Sequence, residues 1–142
     1  MTMNPLAAIY ERIMADATIT GQLGTWHDDP AIVSVSPIPD NVEGPFIALR
    51  EGAPATTPYQ GIMGLSQEIT IGCFSDNEES LYKMQDLAGE VFTLLNQANY
   101  EEGNAWGVVW STCSWPVPAT SDNGFQGYQL TCTVQAFQTQ EV

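Results

Sequence analysis

The sequence predicts an α+β domain, a mainly antiparallel β-sheet of about five strands with two helices packed on one face. Three observations predict it. Leu65 to Phe74 alternates, with Leu65, Ile69, Ile71 and Cys73 on one face and Ser66, Glu68, Thr70 and Gly72 on the other, the period of a half-buried strand. From Leu81 the period lengthens to three or four: Leu81, Met84, Ala88, Val91 and Leu95 form a helical stripe, widened by Leu87, Phe92 and Leu94 and opposed by Lys83, Asp86, Glu90 and Gln97. Gln126 to Phe137 alternates again, Tyr128, Leu130, Cys132, Val134 and Ala136 inward against Gln129, Thr131, Thr133 and Gln135. Strands come in runs instead of alternating strictly with helices, which favours an antiparallel sheet with its helices segregated.

The elements follow in order. Asn4-Pro5 opens a first helix, since Asn caps well and Pro at the first helical position loses nothing by lacking an N–H. Leu6, Ile9, Tyr10, Ile13, Met14 and Ala17 make its apolar stripe, with fraying expected near Thr18 to Thr20 and a stop at Gly21. Ala31 to Ser36 reads as a short strand ended by Pro37 and Pro39, and Phe46 to Glu51 as an interior strand with both faces filled. Ser75-Asp76-Asn77-Glu78 is the switch into the long helix, with Ser75 as its expected cap and Glu78 reaching back. Asn96 to Asn104 is expected as a polar connector. Trp106 to Val117 is a strand whose apolar phase shifts from Trp106, Val108 and Trp110 to Cys113, Trp115 and Val117, so one extra residue is expected near Ser111 and Thr112. Pro116-Val-Pro118 should end that pairing, Ala119 to Phe125 should turn back, and Gln138 to Val142 should be a loose polar tail.

Residues 52–64, Gly-Ala-Pro-Ala-Thr-Thr-Pro-Tyr-Gln-Gly-Ile-Met-Gly, have neither period nor charge. Irregular segments of this length are uncommon in compact domains unless they have a task. Two readings stand: an uncharged arm presenting Pro58, Tyr59, Ile62 and Met63 to another subunit or to a tube, or a loop or folded-back hairpin extending the flanking strands.

The 142 residues suit one domain, 1–142, with that arm at 52–64. Seventeen Asp and Glu face only Arg12, Arg50 and Lys83, a formal charge of −14. Such a chain has no basic surface for the phosphate backbone of DNA. No apolar run approaches the roughly 20 residues a membrane span needs, and no secretory signal opens the chain, so no membrane partner and a cytoplasmic site of synthesis are expected. Cys73, Cys113 and Cys132 lack C-x-x-C spacing and lie among apolar neighbours, as reduced core thiols do. Trp26-His27-Asp28-Asp29-Pro30 places the single histidine beside carboxylates, but adjacent side chains diverge and no second histidine exists. A solvated loop is the simpler reading, and no metal, cofactor or catalytic group is expected.

Met14-Ala-Asp16-Ala-Thr-Ile-Thr-Gly21, the strand Pro45-Phe-Ile-Ala-Leu49, the passage Gln67-Glu-Ile-Thr-Ile-Gly-Cys-Phe-Ser75 with its helix to Leu95, and the closing Gly127-Tyr-Gln-Leu-Thr-Cys-Thr-Val134 resemble the tail-terminator or tail-completion proteins of long-tailed bacteriophages. The likeness covers nearly the whole chain and rests on order and pattern. It implies a structural virion protein and not an enzyme: a subunit of a homo-oligomeric ring, usually a hexamer, that caps the tail tube protein and joins it to the head-connector (neck) protein. DNA would pass through the lumen without specific binding, and six copies at −14 each would carry −84. The alternatives are a head-completion or minor tail protein of the same architecture and, more remotely, a small enzyme or ligand-binding domain.

Overall fold

The two alternating stretches become a pair of neighbouring strands, each of 14 residues, Ile62–Ser75 and Gln126–Thr139, antiparallel and in register from Ser75↔Gln126 to Ile62↔Thr139. The computed structural model describes residues 5–34, 38–39, 42, 44–52, 55–59, 62–75, 81–99, 108–121 and 124–139, of which 5, 55–59, 62–65, 98–99, 108–110 and 136–139 are described by their backbone. In chain order the elements are α1 (Pro5–Met14), α2 (Ala17–Thr20), β1 (Thr25–Trp26), β2 (Asp29–Pro30), β3 (Ile32–Val33), β4 (Phe46–Glu51), β5 (Ala55–Tyr59), β6 (Ile62–Ser75), α3 (Leu81–Leu95), β7 (Ala98–Asn99), β8 (Val108–Cys113), β9 (Val117–Thr120) and β10 (Gln126–Thr139).

Among the described residues, eight strands form one sheet in the order β3-β4-β6-β10-β8-β7, with β5 added to β6 and β9 to β10. Every pairing in it is antiparallel except β3 with β4. The fold is therefore α+β, as the pattern predicts.

All three helices pack on one face of the sheet. Ile9 and Ile13 of α1, Ile19 of α2, and Met84, Leu87, Ala88, Val91 and Leu95 of α3 meet Ile47, Leu49, Ile69, Ile71, Cys73, Leu130, Cys132 and Val134. Each fully buried Ile or Leu there contributes about 1.5–3 kcal/mol. The first helix ends earlier than its stripe suggests, because Asp16 starts another. Its backbone is extended (φ −96°, ψ 104°), and its carboxylate accepts a hydrogen bond from Ile19 N–H at 3.1 Å, capping α2.

The opposite face is polar over much of its length, but one end carries a second apolar cluster of Ala31, Ile38, Phe46 and Phe74. There the Phe74 ring lies over two glycines. A Cβ on Gly72 would fall 2.2 Å from Phe74 Cε2, and one on Gly127 would fall 1.9 Å from the Cys73 carbonyl oxygen.

Five local expectations change. The extra residue of the Trp106 to Val117 strand sits at residues 114–116, because Cys113 opposes Cys132 whereas Val117 opposes Gln129. Pro116-Val-Pro118 does not end the pairing, since β9 runs to Thr120 along the edge of β10, where Pro118 has no ladder bond to lose. The connector after α3 contains β7, reached through Gln97 at φ +59°, and Gln138-Thr139 belong to β10. Ser75 is a strand residue paired with Gln126, and Asp76 to Glu78, the rest of the expected switch into α3, lie outside the described residues, as do Tyr100 to Gly107 and the last three residues of the expected tail. Finally, Trp26 to Pro30 is a hairpin: β1 and β2 are joined by His27 (φ +53°) and Asp28 (φ +64°), the backbone of a two-residue type I′ turn.

Candidate functional site

A strand of 14 residues spans roughly 45 Å at about 3.3 Å per residue. The helix that covers the central pair, α3, has 15 residues and reaches only about 22 Å. Helix cover therefore accounts for about half of β6 and β10, and the helix-covered core ends, among described side chains, at Ile69 and Val134. Beyond it β6 continues from Gln67 to Ile62, paired with β10 on one side and with β5 on the other.

Residues 55–59 and 62–64 thus pair in the hairpin form of the two readings. Phe46 to Glu51 and Ala55 to Tyr59 both run along β6, but Glu51 opposes Ile69 and Ala55 opposes Ser66, so three residues of one strand lie against two of the other. This one-residue offset separates core from arm. It is held from both sides: Gly52 N–H donates to Glu68 O at 2.7 Å, and Gln67 Nε2 donates to Gly52 O at 3.1 Å. Gln67 is buried at a position where the alternation asks for an apolar side chain, and that exception in phase was its signal in the sequence. The register then brings the four expected contact residues together at the tip, Pro58 opposite Met63 and Tyr59 opposite Ile62. Their side chains are not among those described.

A second set of residues escaped the sequence reading. Trp115 and Val117 were expected to share an apolar phase with Cys113, yet they are 73% and 51% exposed, and Tyr82 at the start of α3 is 80% exposed. The Trp115 ring meets Phe92 edge-on with centroids 5.1 Å apart. The break at 114–116 turns Trp115 out of the strand's alternation, and Pro116 was the cue for it.

No carboxylate among the described residues is buried. His27 is exposed in its turn, and among the described residues no three His, Cys, Asp or Glu side chains gather as a metal-holding group. Burial pushes the Cys73 thiol up to about 12, as befits a packing residue. On the polar face a cavity of about 390 Å³ is lined by Ala48, Arg50, Glu51, Thr70, Phe74 and Gln129, among others. Arg50 and Glu51 are the charged members of its described lining. No helix among the described residues is long and apolar enough to cross a membrane.

Comparison with protein-family models gave no match, and comparison with curated proteins gave none either.

Proposed function

We propose that this chain is a structural virion subunit of the tail-terminator or tail-completion kind, which assembles into a homo-oligomeric ring at the end of a phage tail tube. The observation that carries the reading is the arm. A sheet whose central strands are about twice as long as their helical cover leaves paired backbone and a four-residue apolar tip for another chain. A monomer has little use for such an extension. The exposed Trp115, Val117 and Tyr82 supply further apolar surface of the kind that interfaces bury. The formal charge of −14 suits a ring that lets a polyanion pass without adhering to it.

The test shortens the arm without touching the core. Thr57 pairs with Gly64, so replacing residues 58–63 by Asn-Gly closes the hairpin two rows earlier in the same register. The shortened protein is expected to keep its thermal midpoint within a few degrees. Light scattering, electron microscopy and sedimentation with purified tail tubes are expected to show loss of rings or tube binding that the intact chain displays. Unchanged assembly of the shortened chain would remove the arm from the interface, and an intact chain that binds no tube and forms no ring would overturn the reading. Binding to the head connector alone would move the subunit to the neck.

A further inference from the structure

The register sets Cys113, the last residue of β8, directly opposite Cys132 in β10. Two hydrogen bonds decide what kind of pair they form. In the adjacent row Ser114 N–H donates to Thr131 O at 2.9 Å, whereas Cys113 N–H turns away from β10 and donates to Asn96 Oδ1 at 3.0 Å. Cys113 and Cys132 are therefore a non-hydrogen-bonded pair, in which opposed Cα atoms lie about 4.5 Å apart, within the span of about 4.4–6.8 Å that a disulfide bridges. The two side chains interact, an interaction that pushes the Cys113 thiol up and the Cys132 thiol down. Cys132 is fully buried, while Cys113 is partly open beside the break at 114–116. Cys73 sits on β6 opposite Tyr128, buried and four residues from the row that holds Cys132.

We propose that Cys113 and Cys132 are a redox modification site that takes a two-electron oxidant of the peroxide class and closes to a cross-strand disulfide within the chain. Cys113, the less buried of the two, gives up its proton, and its sulfur attacks one peroxide oxygen. The O–O bond breaks, leaving a sulfenic acid on Cys113 and releasing one water. The Cys132 sulfur then attacks the Cys113 sulfur; the S–S bond forms, the S–O bond breaks, and hydroxide departs with the Cys132 proton as a second water. Two thiols lose two electrons and one peroxide becomes two waters. Cys113 holds its proton more tightly than a free thiol, because of its interaction with Cys132 and its burial, so the reaction is slow. Reducing cytoplasm keeps such a pair open, and a particle that leaves the cell meets the oxidant afterwards. That timing rests on the virion reading; the disulfide itself does not.

Trypsin makes the test direct. It cuts after Arg12, Arg50 and Lys83 alone, so fragment 51–83 carries Cys73 and fragment 84–142 carries Cys113 and Cys132. The folded protein is treated with hydrogen peroxide, denatured, alkylated with iodoacetamide and digested for mass spectrometry. Fragment 84–142 is expected to lack both alkyl groups and to be lighter than the dithiol by two hydrogens, while 51–83 takes one alkyl group. The disulfide closes a loop of about 20 residues, for which a rise in melting temperature of roughly 5–10 °C is expected, lost again on reduction. Cys113→Ser and Cys132→Ser should each abolish the mass change. Two alkylated cysteines in 84–142 after peroxide, oxygen addition without loss of the two hydrogens, or a disulfide joining two chains would each overturn the proposal.

Discussion

Phe74 and the two glycines beneath it allow a sharp test of the packing on the polar face. The three atoms nearest a Cβ at Gly72 all belong to the Phe74 ring, Cε2 at 2.2 Å and Cζ at 2.6 Å the closest, whereas a Cβ at Gly127 meets the backbone oxygen of Cys73 at 1.9 Å as well as the ring at 2.9 Å. A ring can leave. A carbonyl inside the β6–β10 ladder cannot move without breaking the spine. Gly72→Ala should thus act by overpacking and cost about 1–3 kcal/mol, near 3–10 °C in melting temperature for a domain of this size. Phe74→Ala should cost about 3–5 kcal/mol, since the ring is 4% exposed and packs against Phe46 at 5.7 Å. The diagnostic quantity is the coupling. In the Phe74→Ala background Gly72→Ala should become neutral within about 0.5 kcal/mol, whereas Gly127→Ala should remain costly. Urea denaturation of the four members of each cycle, followed by tryptophan fluorescence, measures this. An equal cost of Gly72→Ala in both backgrounds would refute the steric account.

Three further outcomes are expected. Ser111→Ala should destabilise by about 1–2 kcal/mol, because the fully buried hydroxyl donates to the Leu95 carbonyl at the end of α3 at 2.6 Å, and thermal melting checks it. Asp16→Ala should cost about 0.5–2 kcal/mol by removing the cap on Ile19 N–H, whereas Asp16→Asn should retain most of it; identical melting curves for the two would show that the cap is not what matters. Replacing His27-Asp28 by Asn-Gly should stabilise the β1–β2 hairpin by up to about 1 kcal/mol and leave assembly intact, since both positions have positive φ; a loss of assembly would give His27 a task its turn does not explain.

Much of the core was legible because it is repetitive. The alternation in Leu65 to Phe74 and Gln126 to Phe137 and the stripe from Leu81 to Leu95 report one buried face over many residues, and they reappear as β6, β10 and α3. Features set by one residue against a partner far away in sequence were not legible. Asp16 caps α2 because the chain bends there, and Gln67 is buried because Gly52 offers it a carbonyl. The extra residue between Trp106 and Val117 was readable as a change of phase, but its location depended on β10, so it lay a few residues from where phase alone put it. At the arm, Gly and Pro masked an ordinary hairpin, since β5 tolerates Pro58 through its position on the sheet's edge.

The offset in register between Glu51 and Ala55 also divides the hairpin into two cooperative units. β4 and β5 share β6 as partner but no common register, so the loss of β5 from β6 stops at Gly52, where the bonds to Glu68 and from Gln67 form a separate anchor. Meanwhile β6 stays zipped to β10 along its whole length. The edge of the arm can therefore open, exchange its amide hydrogens or accept a different strand at a local free energy well below that of global unfolding, while the helix-covered core keeps its shape.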